Sequence, residues 1–142
     1  MRIEIDPTAE TPLYQQLHDR VIDAVARGEL RAGDALLSVR QVAVRFGINV
    51  ATVVKAYDAL RQEGIVRTSR RSGSVIARDA ESGPADEQFL AQWHERLSAV
   101  IAEGVAHGVP RAELEARVAS IAAAFEDARA LNPPREQKGS TP

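Results

Sequence analysis

The sequence of 142 residues contains no cysteine, so it can form neither disulfides nor thiolate metal sites. Aromatic residues make up only 4% of it, and no apolar stretch approaches the roughly 20 residues that span a bilayer. Residues 1–6 lack the basic and apolar regions that open a signal peptide. We therefore expect a soluble cytoplasmic protein that does not associate with membranes.

The net charge is only −2, which by itself argues against a nucleic-acid partner, but the charge is unevenly distributed. Up to Arg78 there are 12 Lys/Arg and 9 Asp/Glu, and after Arg78 there are 6 and 11. Residues 38–78 alone hold 8 basic and 2 acidic side chains. Such a local positive field suits phosphate binding, although a solvated basic face without a ligand would have the same composition.

Apolar residues at three- or four-residue steps predict three helices in the first half of the chain. Thr11 is expected to cap the first helix, with Pro12 at its first position and Gly28 at its end. The predicted inward-facing residues are Tyr14, Leu17, Val21 and Val25 in the first helix, Val39, Val42, Ala43 and Phe46 in the second, and Val53, Ala56, Tyr57 and Leu60 in the third.

The second and third predicted helices are separated by only three residues. Ser38 and Gln41 form a capping box at the start of the second helix. Gly47 ends that helix as a left-handed cap, and Asn49 caps the third. This spacing predicts a helix-turn-helix, in which the second helix of the motif lies in the DNA major groove with its N-terminal residues at the base edges.

Two short β-prone runs follow, 65–68 and 74–77, and the polar basic segment between them predicts a hairpin. Three helices and a β-hairpin make a winged helix-turn-helix domain over residues 1–78. Residues 79–86 are rich in Glu, Ser, Gly, Pro and Asp, which predicts a linker.

Residues 87–131 are predicted to form two helices with apolar seams, which an isolated hairpin cannot bury against itself. A second copy of the chain can bury these apolar seams, so we expect a homodimer. Residues 132–142 are expected to be disordered. The fold class is therefore mainly α with a small β-wing, an N-terminal winged helix-turn-helix and a C-terminal dimerisation hairpin. The predicted dimer interface consists of Phe89, Trp93, Leu97, Val100, Ile101, Leu114, Val118, Ile121 and Phe125.

The candidate DNA contacts lie on the third helix, at two helix starts and on the wing. In the third helix, Val50 and Ala51 can touch a thymine methyl, Thr52 can form a hydrogen bond, and Lys55 can reach a phosphate or a guanine. The macrodipole disfavours a cation such as Arg40 in the first turn of a helix, which favours a contact with DNA over a surface salt bridge. The remaining candidates are Ser38 and Asn49, which can bind phosphate or serve only as caps, and Arg70, Arg71, Ser72 and Gly73, which can contact DNA or only keep the hairpin tip soluble.

The runs at 12–17, 28–34, 38–40, 63–64 and 73–76 closely resemble the GntR family of bacterial transcription factors in order and spacing. The short two-helix tail resembles the YtrA-type branch, whose members dimerise through those helices. The resemblance implies that Arg40, Thr52, Lys55 and the wing from Arg70 to Gly73 contact operator DNA.

The sequence departs from the family pattern at three places. Leu37 stands where a proline usually precedes the Ser-Val-Arg run, and Arg71 replaces a wing glycine. Val50 and Val54 occupy positions of the third helix where polar residues are common, so base recognition is expected to be differently tuned.

An enzyme or metal site would need clustered ligands, a phosphate loop or a nucleophile elbow, and none of these is present. His18, His94 and His107 are far apart in the sequence. We therefore predict no catalytic residues, no cofactor and no metal. The sequence predicts a sequence-specific transcription regulator that binds double-stranded DNA and acts as a homodimeric repressor on a palindromic operator. The alternative is a winged-helix adaptor that binds protein and makes no direct contact with DNA. It identifies no small-molecule effector.

Overall fold

The computed structural model describes residues 4–135, so most of the predicted disordered tail, residues 136–142, lies outside the described range. Within that range the chain forms five helices and two strands. They are α1 (Leu13–Ala26), α2 (Val39–Phe46), α3 (Val50–Gln62), β1 (Val66–Ser69), β2 (Gly73–Ile76), α4 (Glu87–Ala106) and α5 (Arg111–Leu131). This order confirms the mainly helical fold class with a small β-wing.

The chain divides into two compact units. One unit runs to Ser82 and also takes in the residues from Ala128 onward, and the other is Gly83–Asp127. The first unit extends past the expected boundary at residue 78, because Asp79 accepts hydrogen bonds from the N–H groups of Ala32 and Glu81, both at 2.8 Å. Burial raises the pKa of Asp79, but these bonds outweigh it and lower the pKa below its ordinary value.

The core of the first unit lies between α1, α2, α3 and the wing. Most of the predicted inward-facing residues are buried, including Leu17 and Leu60, which are completely inaccessible to solvent. Tyr14, Val39 and Phe46 are only half-buried, because they lie in the first or last turn of their helices and pack against the edge of the core. The periodicity therefore identified the buried faces correctly and overstated burial at the helix ends.

The predicted start of α1 is wrong by one residue. Pro12, not Thr11, is the N-cap, since its ψ of 147° is extended and its carbonyl accepts the first helical hydrogen bond, from Gln16. No side chain caps this helix. Pro12 thus precedes the first helical turn instead of starting it.

The two strands pair antiparallel, with Val66 opposite Ile76 and Ser69 opposite Gly73. The predicted hairpin is confirmed, with each strand shifted by one residue towards the tip. The loop before α2 adds an isolated bridge between Ala35 and Val75. The wing is thereby attached to the segment that leads into α2.

The last turn of α5 belongs to the first unit and meets the C-terminal end of α1. Arg129 donates to the carbonyl of Ala26 at 3.0 Å, and the Asn132 amide donates to the carbonyl of Arg27 at 3.3 Å. Arg31 in turn donates to the carbonyl of Asn132 at 2.5 Å. The terminal carbonyls of α1 lack helical partners, so they are acceptors for these donors. Asn132, expected to begin the disordered tail, is therefore held in place.

Gly28 allows this close approach. It is buried with a φ of +75°, and an added Cβ would lie 3.2 Å from the Asn132 carbonyl oxygen and 3.4 Å from Cα of Arg129. Gly64 follows α3 with nearly the same backbone, a φ of +77°, but an added Cβ would meet nothing within 4 Å. The two positions differ in their surroundings and not in their backbone strain.

We expect Gly64→Ala to lower the free energy of unfolding by about 1–2 kcal/mol, the cost of a left-handed alanine. Gly28→Ala should cost about 1–3 kcal/mol more, because the methyl group also displaces the end of α5. Chemical denaturation of both variants at equal protein concentration measures the difference. Equal losses would show that Gly28 is not constrained by the end of α5.

His18 joins α1 to the end of α3. Its Nδ1 lies 2.9 Å from an Asp19 oxygen and its Nε2 lies 2.8 Å from Glu63, while its side chain is only 15% exposed. Burial lowers the pKa of His18, but the hydrogen bonds to the two carboxylates outweigh burial and raise the pKa above its ordinary value. The protonated form is therefore favoured in the folded chain.

A raised histidine pKa stabilises the fold fully below the unfolded pKa of about 6.5, and the stabilisation is lost as pH rises through the folded pKa. The free energy of unfolding should therefore contain a component that declines above about pH 6.5. Denaturation curves measured from pH 5.5 to 9 should lose this component in His18→Gln and keep it in His94→Gln, an exposed histidine of α4. An identical pH profile for His18→Gln and the parent would contradict the assignment.

Candidate nucleic-acid interface

The turn between α2 and α3 is fixed at both ends. Gly47 ends α2 with a φ of +63°, and the N–H of Ile48 donates to the carbonyl of Ala43 at 3.1 Å. Asn49 then caps α3, because its side-chain oxygen accepts from the N–H of Ala51 at 2.8 Å. The predicted helix-turn-helix, with its two caps, is confirmed, and the first turn of α3 begins directly at Val50.

The predicted contact residues lie on accessible surface. Val50 is 46% exposed, Ala51 and Lys55 are also exposed, and Thr52 is half-buried. The other candidates, all exposed, are Ser38, Arg40, Asn49, Arg70, Arg71, Ser72 and Gly73. Since Val53 lies on the buried side of α3, the exposed residues Val50, Ala51 and Lys55 lie on the other side of the same turns.

Lys55 has a partner that the sequence did not predict. Its ammonium nitrogen lies 3.8 Å from the centre of the Tyr14 ring, which is the geometry of a cation–π contact. The contact holds a positive charge at the edge of the exposed face of α3, beside the start of α1. The apolar spacing of α1 gave Tyr14 a core role and carried no signal for this second one.

The start of α2 combines a satisfied cap with an unpaired cation. The Ser38 hydroxyl accepts from the N–H of Gln41 at 3.1 Å, and the Gln41 side chain accepts from the N–H of Ser38 at 2.9 Å, which confirms the capping box. Arg40 forms no ion pair with any residue of the described range, and no acidic residue lies in this first turn. A helix N-terminus with a free guanidinium attracts anions.

The wing tip consists of Arg70, Arg71 and Ser72. The Ser72 N–H donates to the hydroxyl of Ser69 at 3.0 Å, which stabilises the turn from within. Neither arginine forms an ion pair with another residue among those the structure describes. Both guanidinium groups are therefore available to an external anion.

The one acidic residue on the exposed side of α3 is neutralised locally. Asp58 forms an ion pair with Arg61, and Arg61 also donates to the Thr68 hydroxyl at 2.9 Å. This bond ties α3 to β1. The face that includes Lys55 thus keeps a positive balance.

Tyr57 positions the start of α2. Its ring is buried at 2% exposure, and its hydroxyl donates to the carbonyl of Leu37 at 2.6 Å. Burial raises the pKa of this hydroxyl to about 12, so it remains a donor at any physiological pH. The sequence indicated a core tyrosine but gave no sign that it holds the residue before Ser38, at the place where the family pattern has proline.

The predicted dimer residues fall into two groups on α4 and α5. Leu97, Ile101, Leu114 and Phe125 are half-buried, and Gly104 lets the two helices approach, since an added Cβ would lie 3.0 Å from a Leu114 methyl. Phe89, Trp93, Val100, Val118 and Ile121 are 44–63% exposed. Neither helix contains a buried residue, so the apolar surface of this unit stays accessible in a single chain.

The described residues contain no group of three or more His, Asp or Glu placed to hold a metal ion. None of the helices described is both long and apolar enough to cross a membrane.

Comparisons with known proteins found a matching family model and similar sequences. The family model for bacterial regulatory proteins of the gntR family matches residues 13–76. The chain is 32% identical over 121 residues to the HTH-type transcriptional repressor YtrA of Bacillus subtilis, which covers 85% of this chain and 92% of that protein. It is 36% identical over 92 residues to the HTH-type transcriptional regulator Rv1152 of Mycobacterium tuberculosis, covering 62% of this chain and 76% of that one.

Solved structures agree in fold. A transcriptional antiterminator from Listeria monocytogenes superposes with a TM-score of 0.76 at 26% identity, covering 94% of this chain and 95% of that one. YtrA from Sulfolobus acidocaldarius, described as a GntR-family transcription factor, gives a TM-score of 0.59 at 33% identity, with 73% and 97% covered. The first match extends over both units of the chain.

Proposed function

The chain belongs to the gntR family of bacterial regulatory proteins, which are DNA-binding transcription regulators and not enzymes, and from this premise we propose that it is a repressor that binds a palindromic operator as a homodimer. The observation that carries the proposal is the exposed first turn of α3, in a domain whose Arg40, Arg70 and Arg71 form no ion pair with any described residue. Repression is inferred from the similarity to the YtrA repressor, and it requires only that the bound protein block access to a promoter.

We assign DNA binding and dimerisation to two different segments of the chain. Residues 1–78 bind DNA through α3 in the major groove, with Arg40 and Lys55 at phosphates and the wing tip at the flanking backbone. Residues 87–131 dimerise. Since the target is chromosomal DNA, the protein acts in the cytoplasm. No effector is assigned.

Dimerisation accounts for the apolar surface of α4 and α5. Trp93, Val100 and Ile121 are each 47–63% exposed in the single chain. Large apolar side chains exposed in this number favour an interaction site, and a twofold partner would present the identical side chains to cover them. Two joined copies also place two α3 helices on one duplex, with half-sites about 34 Å or a multiple of it apart.

Selection of bound sequences from a random DNA pool, using the full chain, tests the whole proposal. We expect enrichment of an inverted repeat whose half-sites are spaced by whole helical turns. Enrichment of a single half-site would contradict the dimeric operator. A pool that stays random would favour the protein-binding adaptor instead.

Replacing Lys55 with alanine should reduce the dependence of operator affinity on salt. Each phosphate contact contributes about 0.9 to the slope of log K against log salt, so a dimer should lose about 2. Fluorescence anisotropy between 50 and 300 mM salt, about the range in which this term is measurable, gives the slope. Lys55→Arg keeps the charge and should retain the parent slope, whereas an unchanged slope in Lys55→Ala would remove Lys55 from the phosphate contacts.

Ile121→Glu should dissociate the dimer. A carboxylate at the covered face costs about 3 kcal/mol or more, so the dimer dissociation constant should rise at least about 100-fold. Ala123→Glu is the matched control, because Ala123 lies about 200° around α5 from Ile121. Sedimentation velocity at micromolar protein should show monomers only for Ile121→Glu, and operator affinity should fall with it. A parent chain that is monomeric under these conditions would refute the dimer.

A further inference from the structure

The exposed surface of the N-terminal half of α3 is mainly apolar. Val50 and Val54 are 46% and 38% exposed, and Ala51 lies beside them. Lys55 is the one charged side chain in these two turns, and its ammonium nitrogen lies 3.8 Å from the centre of the Tyr14 ring.

The two valines are only partly buried within the chain, at 46% and 38% exposure. Fully burying a valine side chain is worth about 1.5–3 kcal/mol, and an exposed one forgoes much of that. Valine is also a poorer helix former than alanine or lysine, because its branched side chain loses rotamer freedom in a helix. The inward face of α3 is already filled by Val53 and Leu60. Core packing therefore accounts for only part of each side chain, and helix formation does not favour valine at either position.

The two valines form one surface. They are four residues apart, so they lie on the same side of α3, about 6 Å apart along its axis. The Asn49 side-chain oxygen is engaged by the N–H of Ala51, and Thr52 is half-buried. The part of α3 that faces outward here therefore offers branched methyl groups in place of hydrogen-bonding groups.

The major groove has one apolar feature at its base edges, the C5 methyl group of thymine. A valine cannot donate to or accept from the other base-edge groups, but it can pack against this methyl. We propose that Val50 and Val54 are specificity-determining residues that recognise thymine methyl groups in each operator half-site. The inference rests on the proposed function, in which α3 enters the major groove.

The test replaces the thymidines of the selected operator, one at a time in each half-site, with deoxyuridine, which differs from thymidine only by the missing C5 methyl. Affinity is measured by fluorescence anisotropy at constant salt. We expect about a fourfold loss per methyl at one or two positions of each half-site and no change in the spacer, since one buried methyl contributes about 0.8 kcal/mol.

Variants assign the effect to residues. In Val50→Ala and Val54→Ala, the loss caused by deoxyuridine should disappear at the position that each valine contacts. Alanine is the better helix former, so these variants should fold. Val44→Ala is the matched control, because Val44 is an equally apolar residue, 85% exposed, on α2 instead of α3. It should keep the full dependence on the methyl groups.

The outcomes separate this inference from the proposed function. Specific binding that is indifferent to every deoxyuridine would overturn methyl recognition and leave the DNA-binding function standing. Methyl dependence that persists in both α3 variants would overturn the assignment to Val50 and Val54. If no operator is selected at all, the proposed function fails first, and the valine surface then fits a protein partner instead.

Discussion

Burial of one side of α3 is the constraint on which the rest of this molecule depends. Leu60 and Val53 are completely buried, and Tyr57 beside them is nearly so. Because a helix repeats every 3.6 residues, fixing the buried side also fixes which side chains face outward in the first turn. The Tyr57 hydroxyl extends this control beyond α3, since its bond to the Leu37 carbonyl holds the residue before the α2 cap. The core therefore sets the orientation of both helices of the motif.

On the surface of α3 and the wing, the acidic side chains are paired with basic ones, and several cations have no ion-pair partner within the described range. Asp58 is paired with Arg61, and Glu63 is turned to His18 on α1. Among the described residues, Arg40 and Arg70 have no such partner. An overall charge of −2 conceals this pattern, because the acidic excess lies after Arg78. The local field around α3 and the wing is what a phosphate backbone would meet.

The elements whose signals are local could be predicted from the sequence. The capping box at Ser38 and the cap at Asn49 depend on residues two or three positions apart, so a single pass along the chain reveals them. The contacts that were missed join distant segments. Arg129 reaches Ala26 across 103 positions, and neither residue's neighbours signal it. The candidate site shows the same division between local and distant signals. The exposure of its residues follows from the helical periodicity, but the contact of Lys55 with the Tyr14 ring does not.

Affinity and specificity place different demands on the two kinds of side chain at α3. Cations at phosphates give binding that depends on salt and not on sequence. Two methyl contacts in each half-site give about 3 kcal/mol for a dimer, or roughly 200-fold discrimination, if each is worth about 0.8 kcal/mol. Specific regulators prefer their sites by about 10³ to 10⁷. Valines alone are therefore insufficient, and the remaining discrimination must come from hydrogen bonds by residues such as Thr52, from the wing, or from the deformability of the operator. Dimerisation matters for the same reason, because it doubles a readout that is weak in each half-site.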